Sequence, residues 1–182
     1  DAGAIVLKNK ERLGYDGALN EGYIYAKSQG YRYFLTFDAD GQLPHDDIPN
    51  FITAFDQTSA FVVGTRAEFP RISEKLFAGI CSKIIGLKDP FCGMKAYDLS
   101  YCTDIYKMDR YNSLGTDLCI RLLEKNYNFK SIEIKVSERK GVSRLGGRLK
   151  SEMRVFRAAA IGCVRIIIIF LKRNFTKRTL DH

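Results

Sequence analysis

The sequence predicts an α/β fold in which helices flank a mainly parallel sheet, and three observations support this prediction. Short runs rich in apolar, β-branched and aromatic residues alternate with segments of helical periodicity, a pattern typical of parallel sheets. Hydrophobic residues make up 46% of the 182 residues and charges are mixed among them, as in globular domains. One predicted strand ends in two aspartates, at the position where open α/β sheets bind ligands.

The first part of the chain holds three predicted strands and two predicted helices. The strands are apolar or aromatic runs at residues 2–9, 31–38 and 60–66. The helix at 15–30 has small and apolar residues on one stripe and a stop signal at Gly30. The helix at 45–57 begins with acidic residues, and Pro49 fits because it falls near the first turn.

The second part continues the alternation. Residues 72–87 have apolar side chains at helical spacing, 91–98 are typical of a strand, 115–127 are typical of a helix and 129–139 alternate as in a strand. We expect a further strand before residue 1, because sites in such sheets usually use the first βα loop and the chain starts at Asp1 rather than methionine. The chain is thus expected to be a fragment of the domain.

The charge balance favours an anionic partner. The formal net charge is +8, from 29 Lys and Arg against 21 Asp and Glu. The excess lies late, with twelve Lys or Arg and one acid between residues 139 and 178. Five scattered cysteines form no CxxC pair, which indicates reduced thiols and argues against a structural zinc site.

Two units are predicted along the chain, an α/β domain at residues 1–149 and a basic amphipathic helical tail at 150–182. The uncharged run at 166–171 is much shorter than the ~20 residues of a bilayer span, and Arg165 would lie inside any span. The pattern favours a helix in the membrane interface, with cations at lipid headgroups. The alternative is a helix that packs against the core of the domain.

The stretch "FLTFDADGQLP" carries the first candidate site. Asp38 and Asp40 are two residues apart, so on an extended strand they point the same way, and Gln42 does too if the backbone stays extended. Close carboxylates repel unless a cation lies between them, and Mg²⁺ or Mn²⁺ prefer such oxygen ligands together with substrate phosphates. The alternative is a polar turn before Pro44.

Basic residues form a second candidate site. The segment "ERKGVSRLGGR" places Arg139, Lys140, Arg144 and Arg148 among glycines, which suits phosphate recognition. Arg66 ends a predicted strand at the same edge of the sheet. The alternative is a solvated basic loop.

Asp117 is the third candidate. It lies at a predicted helix start, where the helix dipole stabilises its charged form. It is either a carboxylate able to act as a general base or a first-turn residue beside a cap at Ser113 or Thr116.

Together these segments resemble family 2 glycosyltransferases. "GYDGALNEG", "FLTFDADGQLP", "VVGTR", "DPFCGMKAYD", "GTDLCIRLLEKNYNFKSIEIKV" and "RKGVSRLGG" stand in the order typical of that family, over about residues 2–149. The resemblance is strongest to the branch of dolichyl-phosphate mannose synthase and polyprenyl-phosphate glycosyltransferases. It implies a GT-A fold, a Rossmann-like sheet that binds a UDP- or GDP-sugar, and metal-assisted inverting transfer to a lipid phosphate or a growing surface glycan.

The resemblance also implies roles for particular residues. Asp38, Asp40 and Gln42 correspond to ligands of Mg²⁺ or Mn²⁺, Asp117 to the base, and Cys92, Gly93 and Lys95 to the acceptor side, with lysine where arginine is common. The implied donor or phosphate ligands are Arg66, Arg139, Ser143 and Arg144.

Two other functions are compatible with single features of the sequence. A sugar nucleotidyltransferase is also Rossmann-like and metal-dependent. A basic α/β module could bind nucleic acid, but no basic strand carries stacking aromatic residues, so we expect no nucleic-acid partner. The leading hypothesis is a glycosyltransferase on the cytoplasmic side of a membrane, bound peripherally through its tail.

Overall fold

The computed structural model describes residues 3–69, 71–137 and 148–180 of the chain. In these residues the helices and strands follow in the order α1 (Gly14–Ser28), β1 (Tyr33–Thr36), α2 (Ile48–Thr53), β2 (Ser59–Arg66), α3 (Ile72–Ile85), β3 (Lys95–Asp98), α4 (Asp117–Glu124), β4 (Asn128–Ile134) and α5 (Arg148–Leu180). The predicted α/β class with a sheet flanked by helices is confirmed.

The four described strands form one sheet in the order β1-β3-β2-β4. Strands β2 and β4 are parallel, whereas β3 is antiparallel to both of its neighbours, with Ala96 opposite Leu35 on one side and Val62 on the other. The strand directions in the described residues are therefore mixed, where the sequence analysis expected a mainly parallel sheet.

The loop after α3 explains this difference. The buried carboxylate of Asp89 accepts hydrogen bonds from Arg66 at the end of β2, at 2.7 Å from Nε and 2.9 Å from Nη2. These bonds hold the loop at the edge where β2 ends. The next strand starts from that edge, so it must run back along β2 in the opposite direction.

The predicted strand at residues 2–9 is wrong for the residues described. Residues 3–9 contain no strand, and Ile5 and Val6 are 62% and 73% exposed. A strand is stable only when its backbone groups are paired with a neighbour, and none of the four described strands pairs with this run.

The predicted helix at 45–57 is shorter than expected. A 3₁₀ turn, His45–Asp47, precedes α2, and Pro49 lies in the first turn of that helix. The remaining predicted elements agree with the structure apart from shifts of their ends.

Strand β2 is the centre of the core. Ala60, Phe61, Val62 and Val63 are fully buried, and the ring of Phe61 stacks on those of Tyr97 in β3 and Phe129 in β4. Burial of these rings on neighbouring strands holds the sheet together and fixes the edge at which β1 and β2 end.

Helix α5 packs on α3 through one face. Val155, Ala158, Ile166 and Ile169 are buried on that face. Gly162 allows the close approach, because a Cβ at this position would lie 2.3 Å from the Cζ atom of Phe77. The helix therefore belongs to the packed body of the protein along this face.

The opposite face of α5 is apolar and exposed. Its large side chains recur at helical spacing and are each between 44% and 67% exposed: Met153, Phe156, Val164, Ile167, Ile168, Phe170 and Leu171. We call these residues the outer face of α5. Among the helices of the described residues, α5 included, none is both long and apolar enough to cross a membrane.

Candidate functional site

The predicted carboxylates follow the end of β1. Thr36, the last residue of β1, donates a hydrogen bond from Oγ1 to the carbonyl of Gly93 at 2.8 Å, which joins the end of β1 to the start of β3. The chain then turns through residues 39–42. Gly41 has a φ of +76°, and the N–H of Gln42 donates to Oδ1 of Asp40 at 3.2 Å.

Asp38 is held from two sides. The Tyr15 hydroxyl donates to Oδ1 of Asp38 at 3.2 Å. On the other side the carboxylate lies against Gly93, where a Cβ would be only 2.1 Å from Oδ2. The space that the carboxylate occupies therefore exists only because residue 93 has no side chain.

The electrostatics at Asp38 suit a cation. Burial raises the pKa of Asp38, the Tyr15 hydrogen bond opposes this rise, and the charge of Asp40 adds to it. A divalent ion between Asp38 and Asp40 would offset the cost of ionising the half-buried Asp38. The donor set, carboxylate and amide oxygens, is the one that Mg²⁺ or Mn²⁺ takes, so the residues present fit such an ion.

In the described residues no group of three or more His, Cys, Asp and Glu side chains comes together as a metal site. A Mg²⁺ or Mn²⁺ ion at Asp38 and Asp40 would therefore take its remaining ligands from water and from substrate phosphates, as these ions commonly do. The metal assignment of Asp38, Asp40 and Gln42 stays a prediction.

Gln42 connects the turn to the segment that follows β4. Its carbonyl accepts a hydrogen bond from the N–H of Ser137 at 2.9 Å, and its Nε2 lies 3.5 Å from the Ser137 carbonyl. The backbone does not stay extended to Gln42, so the alternation that would align it with Asp38 does not apply. The predicted phosphate ligands Arg139, Ser143 and Arg144 lie outside the described residues, directly after Ser137.

The predicted acceptor-side residues lie beside Asp38. Cys92 is buried, and burial raises the pKa of its thiol to about 11, so the thiol stays protonated at neutral pH. Lys95 is 2% exposed and points its Nζ at the carbonyl of Gly115, 3.5 Å away. Lys95 thus brings a buried positive charge between the carboxylate turn and the loop before α4.

Arg66 lies at the expected edge of the sheet, but its guanidinium is already engaged. Besides Asp89, it donates to Oε2 of Glu74 at 3.0 Å. Two buried carboxylates therefore balance its charge, and a phosphate would have to compete with them. Its role as a donor ligand stays a prediction.

Asp117 is fully buried at the start of α4 and is bound by three arginines, Arg110, Arg121 and Arg165. Burial alone would raise its pKa, but the hydrogen bond from Arg110 and the charges of Arg121 and Arg165 outweigh burial and lower it. A carboxylate with a lowered pKa accepts a proton weakly. The assignment of Asp117 as a general base stays a prediction.

Sequence reasoning missed Tyr15 beside Asp38 and the three arginines around Asp117, which are Arg110, Arg121 and Arg165. Nothing in the spacing of the chain relates Tyr15 to Asp38. Arg165 did carry a signal, because an arginine within an apolar helical run needs a carboxylate partner when it is buried.

Taken together, these residues define an α/β protein with a carboxylate site at the edge where β1 and β2 end. A family model described as glycosyl transferase family 2 matches residues 1–91, half of the chain, and the chain belongs to this family. No curated protein matches the chain. The family predicted from the motifs is thereby confirmed, and the match favours neither a nucleotidyltransferase nor a nucleic-acid-binding module. Membership implies a glycosyltransferase that uses a nucleotide-sugar donor and an acceptor.

Proposed function

We propose that this protein carries out metal-dependent, inverting transfer of a hexose from a UDP- or GDP-sugar to a polyprenyl or dolichyl phosphate, or to a growing surface glycan. The observation that carries the proposal is the pair Asp38 and Asp40, in which the half-buried Asp38 packs against Gly93 and its pKa is raised by burial and by the charge of Asp40. Such a pair is suited to hold a divalent ion on a diphosphate.

In this proposal each group at the carboxylate turn has a task. Asp38 and Asp40, with Gln42 beside them, would hold Mg²⁺ or Mn²⁺, and the ion would supply charge neutralisation to the leaving nucleoside diphosphate. Tyr15 keeps the Asp38 carboxylate oriented through its hydrogen bond. The hydrogen bond between Gln42 and Ser137 holds the chain after β4 at this turn as far as Ser137. In the proposal Arg139, Ser143 and Arg144, which follow Ser137 in the sequence, bind phosphate.

The surroundings of Asp117 favour a phosphate over a sugar hydroxyl as the attacking group. A hydroxyl has to lose a proton as it attacks, which calls for a base, and the lowered pKa of Asp117 makes it a weak one. A phosphate acceptor is already ionised at neutral pH. Asp117 then orients neighbouring arginines, and the lipid-phosphate branch is the better match.

We also propose that the protein binds the cytoplasmic face of a membrane through α5. The outer face of α5 is exposed and apolar, and the helix carries nine basic residues and one acid. An amphipathic helix of this composition lies in the headgroup region of anionic bilayers. Peripheral binding would bring a membrane-embedded lipid phosphate to the site.

Calorimetry tests the donor site. We expect UDP-sugars or GDP-sugars to bind in the presence of Mn²⁺ and to lose binding in EDTA and in Asp40→Ala. Asp46→Ala is a matched control, because its carboxylate lies in the next turn and is 92% exposed. Binding that persists in EDTA and in Asp40→Ala would overturn the metal-dependent donor site.

A further inference from the structure

Three arginines surround the single carboxylate of Asp117. Arg110 binds it through a fork, with Nε 2.9 Å from Oδ2 and Nη2 3.2 Å from Oδ1. The Nε of Arg121 is 3.3 Å from Oδ2, and Arg165 of α5 reaches Oδ1. Arg165 is shared with Glu124, 2.8 Å away.

The cluster has an excess of positive charge. Its three guanidinium groups face two carboxylates, Asp117 and Glu124, in the part of the chain that the structure describes. The pKa of Arg121 is lowered, chiefly by burial and further by the charges of Arg110 and Arg165, although Asp117 opposes the shift. A half-buried site with surplus guanidinium attracts an anion, and phosphate matches the fork of an arginine.

One side of this cluster is open to solvent. The Arg110 side chain is 43% exposed and Tyr111 is 40% exposed. The Tyr111 ring lies beside two guanidinium groups, 5.1 Å from that of Arg110 and 5.7 Å from that of Arg165. A ligand can therefore reach Arg110 and the Tyr111 side chain without unfolding the cluster.

The loop that carries these side chains is held in a strained conformation. Asp109 accepts hydrogen bonds from the N–H groups of Tyr111 at 2.9 Å and Gly115 at 2.9 Å. Asn112 and Leu114 have φ angles of 52° and 57°, which non-glycine residues seldom adopt. Strain that the surrounding bonds maintain is often found at ligand-binding loops.

Hydrogen bonds join this loop to the carboxylate turn. The N–H of Gly115 donates to Asp16 at 3.2 Å, and the neighbouring residue Tyr15 donates to Asp38. The carbonyl of Gly115 faces the buried Lys95. The arginine cluster thus borders the proposed donor site.

We propose that Arg110, Tyr111 and Arg165 form the subsite for the phosphate group of the acceptor. This inference rests on the proposed function, because it assigns the acceptor of the same reaction. The entering phosphate takes over the guanidinium fork of Arg110, and the Tyr111 hydroxyl donates to it. Asp117 keeps Arg121 and Arg165 as counterions, so it stays ionised while Arg110 moves to the ligand.

The test measures phosphate binding to the whole chain in EDTA, with no metal or nucleotide present. Inorganic phosphate, a short prenyl monophosphate and the corresponding prenol are titrated separately. We expect Arg110→Gln to weaken binding of both phosphates about tenfold, as the loss of a charge-assisted fork implies. Arg110→Lys keeps the charge without the fork and should recover part of the affinity. Lys107→Gln removes a charge from the same loop outside the cluster and should leave binding unchanged.

Unchanged phosphate affinity in Arg110→Gln, with thermal unfolding like that of the wild type, would overturn the subsite. If the prenyl phosphate binds more tightly than inorganic phosphate, the acceptor is a lipid phosphate. If the two bind equally, the acceptor is a water-soluble phosphate. Asp40→Ala separates the two proposals, since it should abolish nucleotide-sugar binding and leave phosphate binding in EDTA intact. If nucleotide-sugar binding proves independent of metal and Asp40, the donor site is wrong but the phosphate subsite is unaffected. If phosphate binding proves independent of Arg110, the phosphate subsite is wrong but the donor site is unaffected.

Discussion

At the scale of single residues, the position of Asp38 depends on Gly93. The carboxylate touches the glycine on one face and the Tyr15 hydroxyl on the other. Neither neighbour is close to Asp38 in the sequence, so this arrangement could not be predicted from the motif "FLTFDADGQLP" alone. The motif predicted which residues carry the carboxylates, whereas the tertiary structure determines which way one of them points.

Gly93→Ala should therefore impair the proposed donor site without unfolding the protein. The added Cβ would lie 2.1 Å from Oδ2 and 2.7 Å from Cγ of Asp38, so the side chain has to move. We expect Mn²⁺-dependent binding of the nucleotide-sugar to weaken about tenfold or more, because a displaced ligand loses its coordination geometry. Gly79→Ala is the matched control, because a Cβ added there would have no atom of the described residues within 4 Å beyond its own stretch of helix. Equal loss in both variants would point to a general effect on folding instead.

Asp117→Asn should destabilise the protein in a way that depends on pH. The change leaves three arginines without their shared carboxylate, and breaking a buried ion pair costs roughly 3–5 kcal/mol. The folded pKa of Asp117 is lowered, so its stabilisation is present above the unfolded pKa of about 3.9 and is lost as the pH falls through the folded value.

Chemical denaturation of wild type and Asp117→Asn at several pH values measures this difference. The gap in free energy of unfolding should be largest near neutral pH and should narrow below about pH 4. Asp46→Asn, which alters a carboxylate that is 92% exposed, should change little at any pH. A gap that is constant with pH would mean that packing around residue 117, and not its charge, stabilises this region.

At the scale of elements, the three sides of α5 have different surroundings. One face packs on α3 through Val155, Ile166 and Ile169, a lateral side supplies Arg165 to Asp117, and the outer face is exposed. The sequence predicts a helix here and is compatible both with packing on the core and with a position at a membrane. Helical periodicity alone cannot decide this, because apolar residues occur on two opposite sides of the helix.

The outer face of α5 should bind anionic vesicles. We expect the wild type to co-sediment with vesicles rich in phosphatidylglycerol and not with phosphatidylcholine vesicles. Phe156→Ser and Ile167→Ser should each weaken binding roughly tenfold, since fully burying such a side chain contributes about 1.5–3 kcal/mol. Tyr106→Ser, which changes an 82% exposed aromatic residue outside α5, should bind like the wild type. If Phe156→Ser binds as well as the wild type, the outer face is not the membrane contact.

Other elements differ in how far the sequence could predict them. The alternation of apolar runs and helical segments was sufficient for β2, α3 and α4, since each has a strong local pattern. The run at residues 2–9 has the composition of a strand but lacks a partner among the described strands. Strand formation depends on pairing as well as on local preference, so composition was not enough there.

At the scale of the whole molecule, the sheet brings together residues from distant parts of the chain. Asp38 follows β1, Gly93 and Lys95 come from the start of β3, and the loop to Asp117 packs beside them through Gly115. The class of the fold and the family followed from ordered motifs. The direction of β3 and the arginine cluster did not, because both depend on side-chain pairs such as Asp89 with Arg66 that no local pattern reveals.

The direction of β3 also determines the order in which the protein can assemble. Strands β1 and β2 have no ladder with each other and are joined only through β3. During synthesis, the ribosome completes both strands and α3 before it adds the residues that link them. Until then Asp38 has no Gly93 against which to pack, so the proposed donor site takes shape only after the second half of the chain begins to emerge. Pairing of this kind between distant segments closes slowly compared with local contacts.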